Sequence, residues 1–135
     1  VAAPASTSAA RRRAMRALME RDLIRPTGMS SLVCEFDAAG TMMGGSLCWA
    51  TARDWAKFGQ LYLDGGRVGG RRVVPTQWVD FVRTPSKLDP GYGGQFWLNL
   101  ARPKGEARAM FPEQGPADAF AAIGHLGQFV VVVPS

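Results

Sequence analysis

The stretch IGHLGQFVVVVPS, residues 123–135, is the most informative one for the fold of this chain. Its consecutive valines, residues 130–133, predict a buried strand, because a β-branched run suits a sheet that is covered on both faces. Gly124 and Gly127 flank His125, the only histidine, and glycines let another group approach the backbone closely. A polar side chain at the start of a strand is a common component of a site.

Upstream, TARD at residues 51–54 predicts the start of a helix. The hydroxyl of Thr51 can cap the helix while Asp54 reaches back to the cap, as in a capping box. Gly65 and Gly66 supply the stop signal. An aromatic stripe with helical spacing predicts a core-facing side rather than a ligand platform. It consists of Trp55, Phe58 and Tyr62.

The other elements follow from the same criteria. Apolar residues at helical spacing predict a helix over residues 8–24, which Pro26 ends. Residues 27–46 are rich in glycine and predict a structured loop with at most short strands. The remaining predictions are an extended piece at 68–74, a helix after Pro75 with Trp78, Val79, Phe81 and Val82 buried, strands at 95–100, 119–123 and 128–133, and a surface connection at 101–116.

The composition limits the classes of function. The chain has 135 residues, of which 47% are apolar, and these values predict one domain over residues 1–135 with a disordered start at 1–7. The net charge is +5, but the arginine clusters lack interleaved aromatic residues, so we expect no nucleic acid partner. No apolar run reaches the ~20 residues of a membrane span. Bacterial periplasm and cytoplasm both stay open as compartments.

The two cysteines, Cys34 and Cys48, are too far apart for a C-x-x-C motif. With a single histidine in the chain, the sequence predicts no zinc site, and we expect no metal and no cofactor. Between a disulfide and buried free thiols, the sequence favours free thiols.

A complete catalytic set is missing from the sequence. No serine lies in G-x-S-x-G or has a lysine three residues on, and no glycine loop has P-loop spacing. Taken alone, His125 is more consistent with a structural histidine than with a catalytic one.

Several segments in order nevertheless resemble the serine β-lactamase-related hydrolases, the group of class C β-lactamases, esterases and 6-aminohexanoate-dimer hydrolases. PTGM at residues 26–29 resembles the P-L-G-M of this family, with Thr27 in place of leucine. GHLGQ at residues 124–128 resembles its third motif, K-T-G or H-x-G. The other segments are DAAGT (37–41), GGS (44–46), ATARDWAKFG (50–59), LYLDGG (61–66), GGR (69–71), VP (74–75) and WV (78–79).

This resemblance implies an α/β (α+β) fold, a partial β-lactamase/transpeptidase-like fold with antiparallel strands packed against helices. The similar part runs from about residue 18 to residue 135 and corresponds to the middle-to-late part of that fold. The S-x-x-K helix and the Y-x-N loop would lie before residue 1, and the closing strand and last helix after residue 135. The missing N-terminal part of the fold is therefore an expected partner.

The resemblance also implies roles for six residues. His125 would hydrogen-bond towards the family tyrosine or the substrate, Gly127 would let substrate lie along the strand edge, and the backbone N–H of Gln128 would be an oxyanion donor. Leu126 replaces the threonine of K-T-G, which favours esterase or amidase chemistry over β-lactam carboxylate binding. Gly45 and Ser46 would lie along the pocket rim, with an ordinary turn as the equal alternative.

The function implied is acyl transfer from a small ester, amide or β-lactam to water through a serine ester. We expect this chain to be part of such a serine hydrolase and inactive alone. The alternative is a non-catalytic binding or scaffold domain derived from the same fold.

Overall fold

The computed structural model describes residues 7–100 and 115–135. It shows helices and small antiparallel sheets, so the predicted mixed α+β class is confirmed. The chain divides into two compact units, Val1–Phe58 and Gly59–Ser135. Thr7, from the start predicted to be disordered, caps the first helix by accepting a hydrogen bond from the Ala10 N–H. Within the described residues, no helix is long and apolar enough to cross a bilayer.

The first unit opens with a continuous helical stretch. It consists of α1 (Ser8–Met19), a π-helical segment (Glu20–Ile24) and the short helix α2 (Arg25–Thr27). The prediction that Pro26 ends the helix is wrong. The π segment widens the turn just before the proline, where a missing N–H is tolerated, and the stretch ends instead at Gly28 with a left-handed φ of 70°.

Two short strands, β1 (Val33–Cys34) and β2 (Cys48–Trp49), form an antiparallel pair in which the two cysteines lie opposite each other. Their Cα atoms are 4.1 Å apart and their sulfurs form a disulfide, so the prediction of free thiols is wrong. The positions of the two cysteines in the sequence do not show that the loop between them folds back and brings them together. A small core surrounds this bond, with Met29, Leu32 and Cys34 buried.

The helix α3 (Ala52–Leu63) begins and ends where the sequence predicts. Thr51 Oγ1 accepts a hydrogen bond from the Asp54 N–H at 3.3 Å, which is half of the capping box. In a complete capping box the Asp54 side chain would accept a hydrogen bond from the Thr51 N–H. Here the Thr51 N–H donates instead to Ser31 Oγ at 3.0 Å. Left-handed Gly65 and Gly66 follow the helix and hydrogen-bond back to its last turn.

In the second unit, a hairpin of β3 (Arg67–Val68) and β4 (Arg71–Arg72) precedes the helix α4 (Thr76–Val82). Of the four residues predicted to be its buried side, Val79 and Val82 are buried. The prediction is wrong for the aromatic pair, since Trp78 and Phe81 are 43% and 53% exposed. Their rings instead stack on each other, with centroids 5.3 Å apart.

The main sheet has three antiparallel strands in the order β5 (Trp97–Leu98), β6 (Phe120–Gly124) and β7 (Gln128–Val132). The strands predicted at 119–123 and 128–133 are confirmed, whereas the strand predicted at 95–100 is only two residues long. Residue 95 has a left-handed φ of 71°, which strand geometry excludes. Most of the connection predicted at 101–116 lies outside the described residues.

Among the described strands, the valine strand lies at the edge of this sheet, and the prediction that both its faces are covered is wrong. On one face, Val132 is only 3% exposed, and a Cβ added to Gly59 of α3 would lie 3.1 Å from the Val130 side chain. On the other face, Phe129 and Val131 are 55% and 43% exposed.

Candidate functional site

The third-motif segment forms the turn of the β6–β7 hairpin. Gly124 and Gln128 are the last register pair of the two strands, and the three residues between them make the turn. Leu126 and Gly127 have left-handed φ values of 60° and 75°. The second value favours glycine, whereas the first is uncommon for leucine and is imposed by the tight reversal.

The side chains of this turn face outward. His125 is exposed, and Leu126 is 87% exposed. Gln128, also exposed, is the first residue of β7. The structure therefore places four predicted site residues next to one another on the surface, three in the turn and one at the start of β7.

The two remaining predicted residues, Gly45 and Ser46, lie in the loop between β1 and β2 and belong to the first unit. Both are exposed, and the Ser46 N–H donates to the Met43 carbonyl at 3.1 Å. A Cβ added to Gly45 would meet nothing within 4 Å. Gly45 and Ser46 therefore lie in an exposed turn of this loop.

A polar cluster that the sequence did not predict lies at the start of α3. The buried carboxylate of Asp54 accepts hydrogen bonds from the Ser31 N–H at 2.8 Å and from the Ser31 hydroxyl at 2.6 Å. The Lys57 ammonium donates to the same carboxylate at 2.7 Å and also to the Gly28 carbonyl. Ser31 and Asp54 are 23 residues apart, so no local motif indicates their contact.

A serine, a carboxylate and a lysine in contact could suggest a nucleophile with its base, but the acidity of Asp54 argues against it. Hydrogen bonds from Lys57 first and then from Ser31 lower the pKa of Asp54 to about 2, although burial opposes them. A carboxylate with this pKa is a poor general base near neutral pH. The cluster therefore holds the turn at residues 28–31 against the first turn of α3.

The second unit has a small cavity of about 150 Å³, below the size of ordinary ligand pockets. The guanidinium of Arg83 lies over the Phe120 ring, 5.3 Å from its centroid. Asn99, between two residues that line the cavity, is fully buried, and its Oδ1 has no hydrogen-bond partner among the residues that the structure describes. The cavity is lined by Arg83, Leu98, Leu100, Ala117, Asp118 and Phe120.

In the part of the chain that the structure describes, no group of three or more histidine, cysteine or acidic side chains could hold a metal ion. Compared with known proteins, the chain matches no family model and none of the curated proteins. The likeness to β-lactamase-related hydrolases therefore depends on the ordered motifs of the sequence.

Proposed function

We propose that this chain contributes part of the acyl-transfer site of a serine hydrolase related to class C β-lactamases and esterases. The ordered set of motifs supports the family, with its nucleophilic serine, lysine and tyrosine in sequence outside these 135 residues. The reaction is attack of that serine on an acyl carbon, followed by hydrolysis of the serine ester.

The observation on which the proposal mainly depends is the exposed turn of the β6–β7 hairpin. His125 is exposed in this turn and Gln128 opens the edge strand that follows it. In the proposed site, His125 hydrogen-bonds to the substrate or to the tyrosine, and the Gln128 backbone N–H donates to the oxyanion. Gly127 leaves room for substrate along the strand edge. One oxyanion donor typically contributes a factor of ~10²–10³ to turnover.

The substrate class follows from Leu126. Its side chain is 87% exposed beside His125 and has no hydroxyl to donate to a carboxylate. We therefore propose an ester or amide of a small acyl group as the substrate, in preference to a β-lactam.

The chain alone is expected to hydrolyse neither nitrocefin nor p-nitrophenyl esters, because it has no activated serine. The measurement is steady-state hydrolysis by the purified chain. Saturable turnover that the substitution His125→Ala abolishes would contradict the requirement for a serine outside these residues.

A matched pair of variants tests the site in the full protein, once the coding sequence upstream of residue 1 has been read for S-x-x-K and Y-x-N. Gln128→Pro removes the proposed oxyanion donor and should lower kcat by ~10²–10³. Gln128→Ala keeps the backbone N–H and should leave kcat nearly unchanged. Equal kcat values for the two variants would rule out this donor.

A fluorophosphonate probe, which labels activated serines, separates this proposal from the non-catalytic alternative. Labelling of the full protein at the S-x-x-K serine supports the hydrolase. A full protein that lacks the motifs and takes no label would instead be a binding or scaffold domain.

A further inference from the structure

The disulfide between Cys34 and Cys48 joins the two ends of a loop that has little regular structure of its own. The strands β1 and β2 have only two residues each, which is too short for an isolated hairpin to be stable. In addition to the disulfide, hydrogen bonds join the two ends of the loop. The Glu35 N–H donates to the Leu47 carbonyl at 3.0 Å, and the Trp49 indole donates to the Glu35 carboxylate at 2.9 Å.

The two halves of the loop are held differently. Arg11 and Arg12 of α1 donate to the carbonyls of Ala39 and Asp37, at 2.8 and 2.6 Å, so the first half is attached to the helix. The second half, residues 42–47, is paired with the start of the loop, because the Met43 N–H donates to the Glu35 carbonyl at 3.0 Å. It ends at Leu47, whose left-handed φ of 55° is unfavourable for a leucine. The disulfide at Cys48 is the covalent constraint that follows this strained residue directly.

We propose that the Cys34–Cys48 disulfide is a redox-sensitive clasp, meaning a covalent link whose reduction loosens residues 42–47, and that the chain reaches its described form in an oxidising compartment. Disulfides persist in such compartments and are rare where thiols are kept reduced. The loosened residues include Gly45 and Ser46. The loosening does not depend on the proposed function.

The chemistry is thiol–disulfide exchange with a small or protein disulfide as the oxidant. The two cysteine thiols lose two protons and two electrons and form one S–S bond, while the oxidant's S–S bond is cleaved and becomes two thiols. Reduction is the reverse, through attack of an external thiolate. Cys34 is buried and Cys48 is half-buried, so Cys48 is the more accessible point of attack.

Hydrogen exchange measured by mass spectrometry tests the clasp in the purified chain. Protein purified with oxidised glutathione should resist alkylation by N-ethylmaleimide. Adding a phosphine reductant should then speed amide exchange in residues 42–47, up to about a hundredfold if the full constraint of a loop this long is lost. The hairpin at residues 67–72 contains no cysteine and should exchange at the same rate in both states.

The double variant Cys34→Ala/Cys48→Ala should exchange like the reduced protein and should not respond to the reductant. If this variant does not fold, reduction and reoxidation of the natural chain provide the same comparison. Full alkylation of the protein purified with oxidised glutathione, or equal exchange of residues 42–47 in the two states, would overturn the proposal. These readouts do not involve catalysis, so they fail or succeed independently of the proposed hydrolase.

Discussion

Asp54 shows how one buried charge can organise the residues around it. The residue is only 4% exposed, yet it stays ionised because Lys57 and both polar groups of Ser31 donate to it. Three donors converge on one carboxylate, and each stabilises the charged form. The carboxylate therefore connects a loop and a helix that are separated in sequence.

The pKa of Asp54 predicts acid sensitivity. Folding lowers this pKa from 3.8 to about 2, so its contribution to stability is present above pH 3.8 and is lost as the pH falls towards 2. We expect Asp54→Asn to lower the urea midpoint at pH 7 and to reduce its fall between pH 4 and pH 2. Asp64→Asn is the control, because Asp64 accepts from Gln60 on the exposed side of α3. An unchanged pH dependence in Asp54→Asn would contradict this role.

The strand β7 has two faces of different character. Residues that alternate along a strand point to opposite sides, so Val132 is buried while Val131 beside it is exposed. In the sheet of the described residues, β7 is also an edge strand, and it lacks the charged side chains that usually protect such edges. The exposed apolar face and the edge together favour self-association.

We therefore expect Val131→Lys to reduce aggregation, measured by light scattering, with a change of only about 0.5 kcal/mol in the free energy of unfolding. Val132→Lys is the matched control, since it places a charge at a buried position of the same strand. It should destabilise the fold by on the order of 3 kcal/mol. Equal effects of the two substitutions on stability would contradict the finding that Val131 is on the exposed face of β7 and Val132 on the buried face.

At the scale of the molecule, each unit contains a side chain whose pKa is shifted, and these two side chains respond to opposite ends of the pH range. Asp54 belongs to the first unit, and Tyr62 belongs to the second. Tyr62 packs against Phe96 with ring centroids 4.7 Å apart, and its hydroxyl oxygen accepts a hydrogen bond from the Trp78 indole at 3.2 Å. Burial raises the pKa of Tyr62, and the hydrogen bond from Trp78 opposes this only in part.

The opposite pKa shifts of Asp54 and Tyr62 predict which unit unfolds locally first at each extreme of pH. A tyrosine ionises at about pH 10 in an unfolded chain, so a raised pKa in the folded state makes stability fall as the pH rises through 10. Hydrogen exchange should therefore increase first in the second unit at alkaline pH and first in the first unit at acid pH. Tyr62→Phe should weaken the alkaline response, whereas Tyr92→Phe retains Tyr62 and should not. The same order of opening at both extremes would contradict the prediction.

The sequence by itself determined the features that depend on neighbouring residues. The cap at Thr51, the glycine stop after α3 and the β6–β7 hairpin follow from local backbone preferences and hydrogen bonds of short range. For the same reason it placed a turn between the strand that ends at residue 123 and the strand that begins at residue 128. Their catalytic role comes from family resemblance and stays a prediction.

Only the tertiary structure decided the features that join distant residues. The disulfide needs a loop that returns to its start, and the contact of Ser31 with Asp54 spans 23 positions. The exposed face of β7 depends on what packs against the sheet, and a run of valines is compatible with one covered face or two. Burial is a property of the folded neighbourhood, so a pattern along the chain predicts the strand but does not determine what covers it.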